Sequence, residues 1–377
     1  MKKSQRYFLL AASSLLLLCQ GCKKPNDKID CTLLNLKEIS EVPIGVSFGR
    51  NQIDDSTTLI YEKEFDNATS TEFFTSLIWQ NINDYDFSGS DEHIDFCRFK
   101  SMNIHAHCLL YPIPSVSPDF LVNFQGDNIA FELLVKDFLS NVLTRYKGKI
   151  KAYDLTNELF AYNSGATSET WMRNRFPSDS AYFDFIGRCY QYAHAADPDA
   201  LLFYNDYGQE FSNNDYEKGR AIAALLKKWK QDGVPIHGYG LQLHTNIYRP
   251  VKDITKALEI AASTGLKIHI SELDIAIDWA DFDIEGIDGG EQNLTAVSEN
   301  HRQRQKQMYY DIASAYCTHI PPGQQYGITL WDTNDKFSFL TSNNPLEEPC
   351  VFDKNSQRKP LYYGLFNGLS KGVFNCQ

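Results

Sequence analysis

Eight short apolar runs, spaced along the chain and separated by longer stretches, constrain these 377 residues more than any other feature. In order they are Ile44–Phe48, Lys63–Ala68, Asn103–Leu110, Ile150–Thr156, Ala200–Tyr204, Gly238–Leu243, Leu266–Ile270 and Gln325–Leu330. Between two of them, Ile129–Tyr146 carries Phe131, Leu134, Val135, Phe138, Leu139 and Val142 at the i, i+3, i+4 spacing of an amphipathic helix. Tyr182–Ala196, Asp215–Asp232, Val251–Thr264 and His301–Tyr316 read the same way. Strands alternating with helices imply a parallel sheet. Eight such units imply a sheet closed on itself, a single (β/α)8 TIM barrel, and the length suits that fold with loop insertions. With 43% hydrophobic and 22% charged residues, the chain is not a disordered one.

A barrel of this kind does its chemistry at the C-terminal ends of its strands, so side chains that end strands carry the functional reading. The stretch Lys151-Ala-Tyr-Asp-Leu-Thr-Asn-Glu158 ends the fourth run on an Asn157-Glu158 pair. Leu266–Asp274 has the same form and ends on Glu272 and Asp274. Glu158 and Glu272 are 114 residues apart, about three units of roughly 38 residues, which predicts strands four and seven, facing across the mouth. One strand-end Glu alone fits a helix cap or a solvated position equally well. Two are the parts of a retaining glycosidase, which needs one carboxyl protonated and one ionised about 5–5.5 Å apart. Asp278–Glu291, after the seventh run, holds six acids and is expected to be a solvated loop at the rim of that mouth. His105 and His107 sit two apart on one strand without a matching carboxylate motif, so no metal site is predicted. No phosphate loop or strand-end Schiff-base lysine implies a cofactor, and none is expected.

Lys2, Lys3 and Arg6 precede an apolar run, Phe8–Cys19, too short and badly flanked for a membrane span. Residues 1–21 therefore read as an export signal. Gly21-Cys22 resembles the end of a bacterial lipoprotein signal, with Cys22 as the acylated first residue; plain secretion with nearby cleavage is the alternative. Residues 22–40 then read as a tether and 41–377 as the catalytic domain. The expected location is the outer membrane or cell surface of a bacterium, or its periplasmic face, for a monomer. Removing residues 1–21 takes the formal net charge from −12 to −15, which disfavours nucleic acid and anionic lipid surfaces; membrane contact is expected through the lipid alone. With Cys22 set aside for the lipid, seven cysteines remain, so at least one has no intrachain partner. Cys97 and Cys108 read as small core residues, while Cys350 or Cys376 are candidates for a disulfide that sequence does not assign.

Several separate motifs, in order, resemble glycoside hydrolase family 10, the retaining endo-β-1,4-xylanases, over about Ile44–Leu369. They are HAHCLLY with His107, YDLTNE, FYNDY at Phe203–Tyr207, GYGLQLHTN, HISELDI, GITLWDTNDKFSFL with Trp331, and VFDKNSQRKPLYYGL. The resemblance implies Glu158 as general acid/base and Glu272 as nucleophile, with a polysaccharide or oligosaccharide as substrate. It implies that His244, oriented by Asp274, bonds the nucleophile and that Asn157 bonds the sugar 2-hydroxyl. Gln242 and Asn205 resemble residues that support the acid/base. His107 would touch the sugar beside the scissile bond, and Trp331 would floor it.

The same resemblance marks departures. The family has a Glu-Asn pair and then a Lys after strand two; here Phe65–Thr75 offers Glu72 but no lysine, and none occurs between Lys63 and Lys100. Tyr111 stands where a Trp is usual four residues after His107, and Phe339 replaces another Trp. The catalytic pair is kept while the substrate grip differs. Two other readings stay open: a lipid-anchored glycan-binding protein without turnover, and a β-glycosidase of other specificity on the same fold.

Overall fold

The structure, a computed structural model, describes residues 30–277, 294–371, 373 and 376. Residues 1–21, read as an export signal, Cys22 and the acidic stretch Asp278–Glu291 lie outside those residues. The chain divides into two units, residues 1–34 and 35–377. In the described part of the first, a turn of 3-10 helix at Cys31–Leu33 is capped by the Asp30 side chain, which accepts from the Thr32 amide.

The second unit is the barrel. Its strands are β1 (Ile44–Phe48), β2 (Asn67–Ser70), β3 (Asn103–Ala106), β4 (Ala152–Asn157), β5 (Leu201–Asp206), β6 (Gly238–Leu241), β7 (Lys267–Ala276) and β8 (Gln325–Leu330). All neighbours pair in parallel, β1 through β8 in sequence order. The ring closes where β1 meets β8, with Ile44 opposite Ile328. The connecting helices are α1 (Asp55–Glu64), α2 (Ser88–Phe99), α3 (Asn128–Tyr146), α4 (Asp179–Ala196), α5 (Glu217–Gln231), α6 (Val251–Ala262), α7 (Glu299–His319) and α8 (Pro360–Leu369).

Each strand is nearly continuous in burial, as expected when one face packs inside the ring and the other against helices. Inside, Phe203 and Tyr326 pack with ring centroids 4.5 Å apart at a tilt of 53°, in one buried cluster with Ala152. Cys97 and Cys108 are buried free thiols, as their apolar surroundings predict, and so is Cys350; Cys376 is disulfide-bonded.

Two differences from the sequence reading bear on the packing around α1. The second strand lies at Asn67–Ser70 and not Lys63–Ala68, because Lys63 and Glu64 close α1. Residues 36–39, read as the end of a tether, form a helix in the barrel unit: Leu36 is fully buried and its amide donates to the Glu64 carboxylate at 3.0 Å.

Candidate active site

β4 ends on Asn157, and the next residue, Glu158, turns the chain at φ 56°. That left-handed conformation is rare for a residue with a side chain, and it is held here by the Glu158 amide donating to the Asn205 carbonyl at 3.0 Å. β7 runs on through Glu272 and Asp274, whose side chains share one face because they are two residues apart. A short strand, His244–Asn246, follows β6 and pairs with the end of β7, putting His244 directly opposite Asp274.

Glu158 and Glu272 thereby face one cleft of about 310 Å³, also lined by Phe74, His107, Tyr111, Asn157, Tyr207, Gln242, His244, Trp331 and Phe339. Three amide side chains, Asn157, Asn205 and Gln242, bridge the pair. Asn205 donates through Nδ2 to Glu272 Oε1 (2.6 Å) and to Asn157 Oδ1 (2.9 Å). Gln242 donates through Nε2 to Asn157 Oδ1 (3.3 Å) and to Glu158 Oε1 (2.9 Å). Ser271 donates to Asn205 Oδ1 at 2.6 Å, which fixes the direction of the whole series. Asn205 has room for this because β6 offers a glycine there: a Cβ on Gly240 would sit 2.3 Å from Asn205 Oδ1.

On its other side, Glu272 Oε2 lies 3.1 Å from His244 Nε2, and His244 Nδ1 lies 3.0 Å from Asp274 Oδ2. Burial works against a charged imidazole, but Asp274 and Glu272 outweigh it and raise the His244 pKa to about 10. The ring is thus a cation at neutral pH, donating to both carboxylates. The Glu158 carboxyl is pushed above the usual range, first by burial and then by the negative charge of Asp206; Glu272 adds to this, while Gln242 and Tyr111 oppose it. Asp206 is itself paired with Lys218 at 2.9 Å, both side chains fully buried. The two carboxyls therefore differ by environment: one is biased to keep a proton, the other is met by two donors. That division is what acid-assisted displacement at a sugar carbon requires.

The expected site residues come together, with one change of role. Asn205 was expected to support Glu158; its side chain instead bonds Glu272 and Asn157, because β5 delivers it between β4 and β7, and it reaches Glu158 only through its carbonyl. Trp331 is half-buried at the cleft wall with its ring against the edges of His107 (5.5 Å) and His244 (5.9 Å). Asp154 was not singled out from sequence, yet it bridges His107 Nδ1 and His105 Nε2 at 2.9 Å each from inside the barrel. Its place in the same motif as Glu158, one alternation in from Thr156, was the available signal. Among the described residues no group of His, Cys, Asp and Glu is arranged to hold a metal. In the divergent stretch after β2, Thr75 turns inward and donates to the Leu109 carbonyl at 2.5 Å. Glu72 is engaged by Arg50 (3.2 Å), and it is Phe74 that reaches the cleft, edge-on to His107.

The sequence profile of glycosyl hydrolase family 10 matches residues 35–368. An endo-1,4-beta-xylanase from Geobacillus stearothermophilus is 34% identical over 277 residues, 71% of this chain and 78% of that protein. Endo-1,4-beta-xylanase A from Cellvibrio japonicus is 29% identical over 354 residues; the match covers 89% of this chain but only 56% of the relative's length. Among solved structures, a mutant of xylanase 10C from Cellvibrio japonicus in complex with xylopentaose superposes with a TM-score of 0.83 at 24% identity, over 93% of this chain and 72% of that one.

Proposed function

The chain belongs to glycosyl hydrolase family 10, and from that premise we propose that it hydrolyses β-1,4-linked xylan or a closely related plant polysaccharide with retention at the anomeric carbon. The observation that carries this is the pair of carboxyls from β4 and β7 in one cleft, joined through Gln242, Asn157 and Asn205. The names of the relatives supply the sugar.

In the first step, Glu272 attacks the anomeric carbon while Glu158 gives its proton to the departing glycosidic oxygen. The C–O bond to the leaving chain breaks and a glycosyl ester to Glu272 forms. Glu158, now ionised, takes a proton from water as that water attacks the same carbon, releasing Glu272 as carboxylate. His244, charged and held by Asp274, steadies Glu272 whenever it is negative. Asn157 presents its amide beside both carboxyls, where a sugar 2-hydroxyl would lie. His107, fixed by Asp154, and Trp331 form the wall against which the ring packs.

Replacing Glu158 or Glu272 by Ala should lower release from xylan at least ~10²-fold. An activated 2-deoxy-2-fluoroxylobioside should leave its sugar on the peptide that holds Glu272, seen by mass spectrometry. A label elsewhere, with both Ala variants still active, excludes the assignment. A binding-only role draws support from the absent lysine and inward-facing Thr75. Equal, negligible release by wild type and Glu158→Ala across xylans, arabinoxylans and β-glucans, with retained binding, would establish it. We further propose export and acylation at Cys22, on the motif of residues 1–22 alone; palmitate labelling lost in Cys22→Ala tests it.

A further inference from the structure

Glu158 must offer its proton from one particular oxygen, and its surroundings decide which. Oε1 accepts from Gln242 Nε2 at 2.9 Å and from Asn157 Nδ2 at 3.2 Å. Both are amide nitrogens that donate and cannot accept, and the Ser271–Asn205–Asn157 bonds lock their direction. A proton on Oε1 would point at a donor. Oε2 is left, and its partner is the Tyr111 hydroxyl at 2.6 Å. A phenol can donate or accept, so this contact can reverse when Oε2 gains or loses its proton, while Oε1 accepts from Gln242 and Asn157 in both states.

Tyr111 is set by its loop. The Leu110 amide bonds the Leu155 carbonyl of β4, and the Tyr111 carbonyl takes bonds from the Ile113 amide and the Ser117 hydroxyl. The ring is partly buried in the cleft wall, and burial with the nearby Glu158 carboxylate pushes its own pKa up, so the hydroxyl keeps its hydrogen. Charged and titratable groups face Glu158 from three elements. Asp206 and Tyr207 come from the end of β5, with Lys218 of α5 on Asp206; Glu272 comes from β7, with His244 on it; Tyr111 follows β3. The two acids disfavour a charged Glu158, and Tyr111 works against them.

We propose that Tyr111 is a positioning residue whose hydroxyl reverses its hydrogen bond in the reaction cycle, donating to ionised Glu158 and accepting from the protonated acid. Protonated Glu158 then holds its hydrogen on Oε2 toward Tyr111 until a glycosidic oxygen displaces it. After the first step, the phenol turns round and donates to the new carboxylate, which must be stable as a base for the second. The acid/base role itself rests on the proposed function; the link between Tyr111 and the ionisation of Glu158 does not.

Tyr111→Phe removes the hydroxyl and keeps the ring. Two readouts decide the matter: the pH dependence of kcat/KM on 4-nitrophenyl β-xylobioside, and direct titration of Glu158 by carbon-13 carboxyl NMR, with the signal assigned through Glu158→Gln. The variant loses both bonds, and the one to the charged carboxylate is the stronger, so the alkaline limb and the directly measured midpoint should both rise by about 0.5–1.5 pH units. Tyr111→Leu, an apolar side chain without any donor, should shift the same way, so misfolding of one variant leaves the other to decide. Coincident titration of Glu158 in wild type and a folded variant overturns the proposal. If wild type cleaves no xyloside at all, the proposed function falls, and the NMR midpoint still decides the role of Tyr111.

Discussion

His244 stands between two carboxylates, 3.1 Å from Glu272 and 3.0 Å from Asp274, and its charge ties stability to pH. The ordinary pKa of 6.5 rises to about 10 in the folded chain. Between those values the folded protein holds a proton that the unfolded chain has lost. The stabilisation is complete below about pH 6.5 and fades as pH climbs toward 10. Thermal midpoints should therefore fall over that window in wild type and fall less steeply in His244→Asn. Parallel curves for the two proteins would count against a charged His244. At this scale the two glutamates were legible in the sequence because strand ends fix where such side chains point, while the pairing of His244 with Asp274 was implied by the family resemblance. The partner of Asn205 was not legible. It depends on which neighbouring strand a planar amide meets across the barrel mouth, and that is a matter of register between β4, β5 and β7.

The helix pair α7 and α8 shows what an element can hide from pattern reading. Pro360–Leu369 is apolar on nearly every side, so it carries no one-faced stripe, and Gly364 and Gly368 argue against helix by propensity. Packing explains both glycines. A Cβ on Gly364 would lie 2.1 Å from the Lys306 carbonyl oxygen, and one on Gly368 would lie 2.6 Å from that of Tyr310. One turn apart on one face, they let α8 press onto the backbone of α7. Gly364→Ala must push the helices apart at a cost of about 1–3 kcal/mol, read as a lowered urea midpoint. Gly323→Ala, where a Cβ meets nothing within 4 Å, should sit near wild type. Equal midpoints for the two variants would refute the close approach. α1 escaped for another reason: Thr57 and Thr58 precede a contiguous Leu59-Ile60-Tyr61, which reads as strand-like, although Asp54 and Thr57 form a capping box at its start. β1 and β8 were legible to the residue, since runs buried on both faces and bounded by turns leave little freedom.

A closed barrel has to hold its first and last strands together, and a buried carboxylate at the end of α1 does this for the whole molecule. Glu64 is 3% exposed. Its Oε1 accepts from Arg358 Nε at 3.1 Å; its Oε2 accepts from the Tyr362 hydroxyl at 2.9 Å and the Leu36 amide at 3.0 Å. Arg358 also donates to Asn35 at 2.7 Å and lies over the Tyr362 ring at 4.3 Å. One side chain thus joins the segment entering β1, the helix leaving it, and the segment entering α8, across the seam where β1 meets β8. Glu64→Ala leaves a partly exposed guanidinium, a phenol and a backbone amide without this acceptor, a loss of about 1–3 kcal/mol. Because the seam is shared by the entire ring, the urea midpoint should fall for fluorescence and far-ultraviolet circular dichroism together. The paired variant Glu64→Met with Arg358→Met removes both charges and should recover a large part of that loss, since an unpaired, mostly buried charge costs more than an absent pair. If Glu64→Ala unfolds within about 0.5 kcal/mol of wild type, the seam is held by its strand pairing alone, and Glu64 is only a well-packed side chain.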